Sequence, residues 1–293
     1  MVQYISVTLI LLSLSSITLG IPSCGSTPIK PNLDYPKNTS LNIVGGVYAV
    51  PYSWPWQVVW CIAGWFSWCT MNCGGSIIAP GWVMTAGHCV YGDTDHASIF
   101  RVKTGVYDEA LQNETGEVLH RVKKIYLHPQ YQPDPDPTYD IALIELVDNI
   151  TFTEHVQPVC LPLIDNGIVE EPNSAWATGW GTTSEEGNIS KKLRQVKLPF
   201  VNDETCDKEY PHELKTNVMI CAGTKGEDTC QGDSGGPLVV QSKTGIWFQY
   251  GITSFGTGCA EYKHPGIYSR VTAYCDFIKE TTNGEVTCLD PNE

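Results

Sequence analysis

Residues 232–236 read Gly232-Asp233-Ser234-Gly235-Gly236. Small residues on both sides of a serine let the backbone turn sharply, so that the hydroxyl is exposed and neighbouring N–H groups can converge on one point. The string also fits the Gly-x-Ser-x-Gly elbow of α/β-hydrolases, so alone it is ambiguous. Chain order separates the two readings. The hydrolase order is Ser, then an acid, then His, and only His264 lies downstream of Ser234. A hydrolase also needs strands that alternate with helices. This chain instead offers short β-branched and aromatic runs between turn residues: Val58–Trp60, Ser76–Ile78, Val118–Tyr126, Ile141–Leu146, Ala175–Thr178, Pro237–Gln241, Trp247–Phe255 and Gly266–Val271. Helical spacing is confined to Ala273–Thr281, where Tyr274, Phe277 and Ile278 share one face. Many short strands with Gly and Pro punctuation predict an all-β sandwich or barrel.

Two further strings lie upstream. Thr85-Ala86-Gly87-His88-Cys89 follows the apolar start Trp82-Val83-Met84, and Tyr139-Asp140 opens onto Ile141-Ala142-Leu143-Ile144. A serine is a poor nucleophile until a base takes its proton, and a histidine does this near neutral pH. An aspartate behind the imidazole fixes its tautomer and stabilises the imidazolium. The order His88, Asp140, Ser234, with these surroundings, resembles the chymotrypsin/trypsin family of secreted serine endopeptidases. Ile43-Val44-Gly45-Gly46, Cys73-Gly74-Gly75-Ser76, Gln157–Pro162, Gly179-Trp180-Gly181 and Ser254-Phe255-Gly256 fall in the matching order. The resemblance therefore runs from Ile43 to about Lys279.

It implies two six-stranded antiparallel β-barrels with a short C-terminal helix. It also implies a His88/Asp140/Ser234 triad in the cleft, working through an acyl-enzyme intermediate. The Gly232 and Ser234 amides would form the oxyanion hole, and Ser254 would support Asp140. The other histidines, including His96, His128 and His212, receive no role. No cofactor or metal is expected. A zinc site at Cys69 and Cys73 is improbable because secreted thiols of this kind pair as disulfides. Calcium is left undecided: an acidic loop carries Asp108, Glu109, Glu114 and Glu117, yet Val106 stands near the place of a first ligand.

Specificity rests on the same resemblance. Asp228 stands at the floor of the primary pocket, and Ser254, Gly256 and Gly266 are the other substrate-binding positions. A buried carboxylate is costly unless paired, so the pocket favours a substrate Arg or Lys. Chymotrypsin-like or elastase-like cleavage is the alternative, and would expect a neutral residue at 228 or bulk at 256 or 266. Thr229 departs from the commoner Ser or Ala. Asp134, Asp136, Glu185 and Glu186 either favour basic residues near the scissile bond or are solvated loop charges, and the second reading is preferred. Trp65, Phe66 and Trp68 either anchor a protein substrate or inhibitor or pack on their own loop, and both readings stay open.

The chain has 293 residues, 42% hydrophobic and 17% charged, which suits a globular protein and not a disordered one. Acidic residues outnumber basic ones 32 to 18, giving a net charge of −14 that argues against nucleic-acid binding. Residues 4–19 form an uncharged apolar run ending at Gly20, too short for a comfortable membrane span. The expected organisation is a signal peptide at 1–20, a Pro-rich pro-segment at 21–42 and a protease domain at 43–293, secreted and extracellular with no membrane span.

The twelve cysteines suit an oxidising compartment. The resemblance supplies Cys73–Cys89, Cys206–Cys221, Cys230–Cys259 and Cys24–Cys160, and sequence proximity favours Cys61–Cys69 and Cys275–Cys288. Asn38, Asn113, Asn149 and Asn188 lie in Asn-x-Ser/Thr sequons and are candidate glycan sites. The resemblance further implies activation by a cut before Ile43, whose freed amine would pair with Asp233. Asn42 stands where most relatives carry Lys or Arg, so an asparagine-specific, legumain-type protease is the expected activator and self-activation is not expected. Polypeptide substrates and protein protease inhibitors are the expected partners. A secreted protease-like binding protein that is never activated is the competing class.

Overall fold

The computed structural model describes residues 24–34, 46–64, 69–111, 113–133, 137–170, 172–182, 187–211, 214–224, 229–256 and 264–292. Chain order begins with a two-residue strand, β1 (Val47–Tyr48). Then β2 (Gln57–Ala63), β3 (Cys69–Ala79), β4 (Trp82–Thr85), β5 (Phe100–Thr104), β6 (Val118–Leu127) and β7 (Ala142–Leu146) close a first barrel in the order β2-β3-β4-β7-β6-β5. Val58, Val59 and Trp60 of β2, and Ala142, Leu143 and Ile144 of β7, are shut from solvent on both faces. Continuous apolar runs replace alternation for that reason.

The second barrel is built from β8 (Ser174–Gly179), β9 (Arg194–Val201), β10 (Met219–Ala222), β11 (Pro237–Gln241), β12 (Trp247–Phe255) and β13 (Gly266–Arg270). Its order is β9-β10-β13-β12-β11-β8, and pairing of β8 with β9 closes the ring. β1 pairs with the start of β9, setting Val47 opposite Gln195 and Tyr48 opposite Arg194. The two antiparallel six-stranded barrels are those the resemblance implies. They meet over a tryptophan cluster in which Trp54 packs edge-on against Trp247 of β12 at 4.9 Å. A 2.6 Å hydrogen bond from Thr178 Oγ1 to Gln57 Oε1 joins β8 to β2 beside it.

The C-terminal helix is α2 (Cys275–Thr281), entered through a 3₁₀ turn at Val271–Tyr274. The expectation that only this end is helical is corrected by α1 (Asp203–Glu209). That helix buries only Cys206, so it has no apolar stripe for periodicity to detect. Local chemistry forms it instead. The Asn202 side chain caps the Thr205 amide, Asp203 and Glu204 sit in the first turn, and Lys208 pairs with Glu204 one turn back.

Five disulfides lie within the described residues: Cys24–Cys160, Cys61–Cys69, Cys73–Cys89, Cys206–Cys221 and Cys275–Cys288. Cys230 is also disulfide-bonded, and Cys259, its expected partner, lies outside them. The segment around Cys24 is docked as well as bridged. Gly25 donates to Pro158 O at 2.7 Å and accepts from Trp247 N at 3.0 Å, while Gln195 Nε2 donates to Asn32 O at 2.6 Å. Gly25 has φ +73°, and a side chain there would meet Trp247 and Ile246. Asn113, Asn149 and Asn188 are exposed, as a glycan acceptor must be, and Asn38 lies outside the described residues. No described helix is long and apolar enough to cross a membrane.

Candidate active site

Asp140 stands at the mouth of β7 and is 1% exposed. Its Oδ1 accepts from the His88 amide at 2.7 Å. Its Oδ2 meets His88 Nδ1 at 2.8 Å and accepts from Ser254 Oγ at 2.5 Å. Its main-chain oxygen accepts from Ser269 Oγ at 2.7 Å. With Nδ1 donating to a carboxylate, Nε2 is the nitrogen left to accept a proton; it lies 3.6 Å from Cys89 Sγ, a disulfide sulfur with no proton to give. Burial alone would lower the imidazole pKa, but the hydrogen bond and charge of Asp140 outweigh it, and the net shift is above the ordinary 6.5. The position just before His88 is crowded. A β-carbon on Gly87 would lie 2.9 Å from Leu127 Cδ1, 3.0 Å from Tyr131 and 3.2 Å from Asp140 Oδ1.

Ser234 arrives from the second barrel on a loop packed against the segment that leads to His88. Gly74 N donates to Ser234 O at 2.8 Å. Gly235, at φ +76°, lies so close to Gly74 O, Ala86 N and Thr85 Oγ1 that a β-carbon would overlap them. The Asp233, Gly235 and Gly236 amides are all spent, on Cys230 O, Thr253 O and Asp233 O. The Gly232 and Ser234 amides donate to none of the described residues, and neither does the Ser234 hydroxyl. Two unspent N–H groups flanking an unspent hydroxyl can hold an oxyanion that develops as the hydroxyl attacks. Gly232 itself has φ +98°, and a β-carbon there would approach Gly181 Cα to 3.1 Å.

Asp233 points away from this loop into the protein. It is 2% exposed and accepts from Gly181 N at 2.8 Å and Cys230 N at 3.0 Å. The carboxylate fills the space where Gly179 and Gly181 lack β-carbons. Burial pushes its pKa up to about 6, although those two amides and the Arg194 charge pull the other way. No described cation reaches it within ion-pair distance.

Gly256 and Gly266 are neighbours, since a β-carbon on Gly256 would lie 3.6 Å from Gly266 Cα. Ser254 touches Asp140 directly. Thr229 Oγ1 lies 3.0 Å from Tyr268 OH. Asp228, Asn42 and Ile43 lie outside the described residues, as do His212, Asp134, Asp136, Glu185, Glu186, Trp65, Phe66 and Trp68. The acidic loop is turned onto the chain's own donors. Glu114 accepts from Tyr52 OH and from the Tyr107 and Asp108 amides, and Glu117 faces Lys103. Among the described residues, three potential metal-ligand atoms come together only at Cys73, His88 and Cys89, and both sulfurs there are spent in a disulfide. Sequence reasoning missed Ser269 and Gly87. Gly87 sat in plain view inside a small-residue string, whereas nothing in Tyr268-Ser269-Arg270 announces a contact with Asp140.

A double barrel that unites a His–Asp pair with a serine loop at its boundary is the architecture of chymotrypsin-like serine proteases. A model of the Trypsin family matches residues 43–278. Ovochymase of Halocynthia roretzi is 39% identical over 265 residues, which cover 89% of this chain and 16% of that relative. The chain belongs to the trypsin family of serine proteases. It spans less than a fifth of the length of the relative it matches, 16%.

Proposed function

We propose that the chain is a secreted serine endopeptidase, made as a zymogen, that cleaves peptide bonds after Arg or Lys. The observation that carries this reading is the His88–Asp140 pair, locked by Ser254 and Ser269, with Ser234 delivered against the same segment. In the proposed cycle Ser234 Oγ attacks the substrate carbonyl and passes its proton to His88 Nε2. Asp140 stabilises the imidazolium, and the Gly232 and Ser234 amides hold the oxyanion. His88 then gives the proton to the leaving amine, leaving an acyl-enzyme. A water molecule, deprotonated by the same nitrogen, releases the new carboxyl terminus.

Asp228 is the proposed pocket floor, and Gly256 and Gly266 leave room for a long cation. Activation is proposed to be a cut between Asn42 and Ile43 by an asparagine-specific protease. The new amine would compensate Asp233, a desolvated carboxylate whose donors among the described residues are two amides. A signal peptide at 1–20, the disulfides and the exposed sequons support secretion. Polypeptide substrates and protein inhibitors are the proposed partners. One feature, Asn42, favours a second reading: a protease-like binding protein that is never activated.

The test is amide hydrolysis by protein cut before Ile43, on matched peptides ending in Arg, Lys, Phe or Leu. Turnover confined to Arg and Lys supports the whole reading. Turnover of Phe or Leu instead overturns the role of Asp228 and leaves the triad. No turnover, with Ile43 verified as the N-terminus, favours the binding protein.

A further inference from the structure

Tyr139, the residue before Asp140, has φ +52°. In that region the β-carbon crowds the backbone, and bulky residues rarely adopt it without support. The conformation has a clear local effect. Ile141 N donates to Tyr139 O at 2.9 Å, closing a three-residue turn centred on Asp140. This turn carries the chain from the Gln132–Thr138 bridge into β7 and leaves the Asp140 carboxylate facing His88.

The support is aromatic and comes from far along the chain. The Tyr139 ring lies parallel to the His128 imidazole, with centroids 5.2 Å apart and planes inclined by 6°. The Lys215 ammonium is 5.8 Å from the same ring. His128 is met edge-on by Tyr274 at 5.5 Å and by Phe277 of α2 at 4.7 Å. Its amide donates to Ile141 O at 3.2 Å, and its Nδ1 accepts from Gln130 N at 3.2 Å. Tyr274 is itself buried and donates to Val218 O. Burial lowers the His128 pKa, which keeps the ring neutral for stacking.

We infer that His128 and Tyr139 are positioning residues: their stack, braced by Tyr274 and Phe277, holds the left-handed backbone that presents Asp140 to His88. This rests on the reading of Asp140 as the acid behind the catalytic histidine. It gives His128 a role that its sequence surroundings do not suggest.

The experiment uses protein cut before Ile43 and the variants Tyr139→Ala, Tyr139→Gly, His128→Ala and His128→Phe. Two readouts are taken: kcat and KM on an Arg-terminated peptide amide, and the far-downfield proton resonance of His88 Nδ1–H. Alanine at 139 must adopt the unfavourable backbone with no ring to hold it there, whereas glycine adopts it freely. Tyr139→Ala and His128→Ala are expected to lower kcat about tenfold with KM within about twofold, and to shift or broaden the resonance. Tyr139→Gly and His128→Phe are expected to recover most of both. Wild-type kcat and an unmoved resonance in Tyr139→Ala overturn the inference. So does a Tyr139→Gly protein as impaired as Tyr139→Ala, because the ring would then matter for packing and not for backbone shape. The resonance needs no turnover, so an inactive wild-type protein sinks the endopeptidase reading while the positioning test still runs.

Discussion

Ser254 Oγ, on β12 of the second barrel, donates a 2.5 Å hydrogen bond to Oδ2 of Asp140, which belongs to the first. Ser269 on β13 makes a second cross-barrel bond to the same residue at 2.7 Å. The acid behind His88 is thus carried by one barrel and oriented by the other. A buried carboxylate makes stronger hydrogen bonds than neutral acceptors do, so the seating of the two barrels sets the angle of the imidazole.

Ser254→Ala removes one donor from a buried carboxylate and supplies no replacement. The expected result is a kcat about tenfold lower with KM little changed, the size of one lost hydrogen bond to a charged group. Steady-state kinetics on an Arg amide reads it. A kcat equal to wild type would mean that Ser254 merely fills space.

The raised pKa of His88 fixes the direction of the acid limb. In the proposed cycle a protonated imidazole cannot take the Ser234 proton, so activity is expected to fall as pH falls, with a midpoint above 6.5. Asp140→Asn removes both upward influences and presents the wrong hydrogen-bond partner to Nδ1. A drop in kcat of roughly 10⁴-fold and an acid limb displaced to lower pH are expected. The log kcat/KM against pH profiles of the two proteins decide it.

Asp233 makes the uncut protein sensitive to pH in the opposite sense to a paired acid. Its folded pKa, about 6, exceeds the ordinary 3.8, so the folded chain holds a proton that the unfolded chain has already lost. Stability therefore falls as pH rises between those values, by on the order of 3 kcal/mol when the group has fully ionised. Urea denaturation of the uncut protein at pH 4 and pH 7, compared with Asp233→Asn, isolates this slope. The variant is expected to lose it, and an identical slope in both proteins would contradict the assignment.

Gly235 and Gly245 separate backbone strain from overlap. Both have positive φ, but a β-carbon on Gly235 meets Gly74 O at 2.7 Å, whereas one on Gly245 finds nothing nearer than 3.9 Å. Gly245→Ala is expected to cost about 1 kcal/mol, and Gly235→Ala more than about 2 kcal/mol. Urea midpoints measure both, and equal losses would mean that the serine loop moves aside at no cost.

The candidate site was legible because its residues are compressed into short strings. Thr85–Cys89, Tyr139–Ile144 and Gly232–Gly236 each combine a reactive group with the small or apolar neighbours its geometry demands. Strands were legible where apolar residues line them, as in β2, β7 and β12. Lys103 in β5, and Arg194 and Gln195 in β9, are polar yet buried, so their strands lose the expected pattern. Pro199 interrupts β9 further. The support of Asp140 was hidden for a different reason. Ser269 meets Asp140, and Tyr274 and Phe277 meet His128, from far along the chain, and no local string records a contact made across the fold.

The bond between Cys24 and Cys160 changes what a molecular size can report. Hydrolysis of a single peptide bond between Asp34 and Gly46 would release nothing, because the shorter piece stays bridged and docked beside Trp247. Gel filtration, light scattering and a non-reducing gel would all see one unchanged particle before and after such a cut. An immunoassay would count both forms alike. Under the proposed activation, the amount of this protein and the amount that has been switched on are separate quantities, told apart by reduction, by reading of the new amino terminus or by turnover.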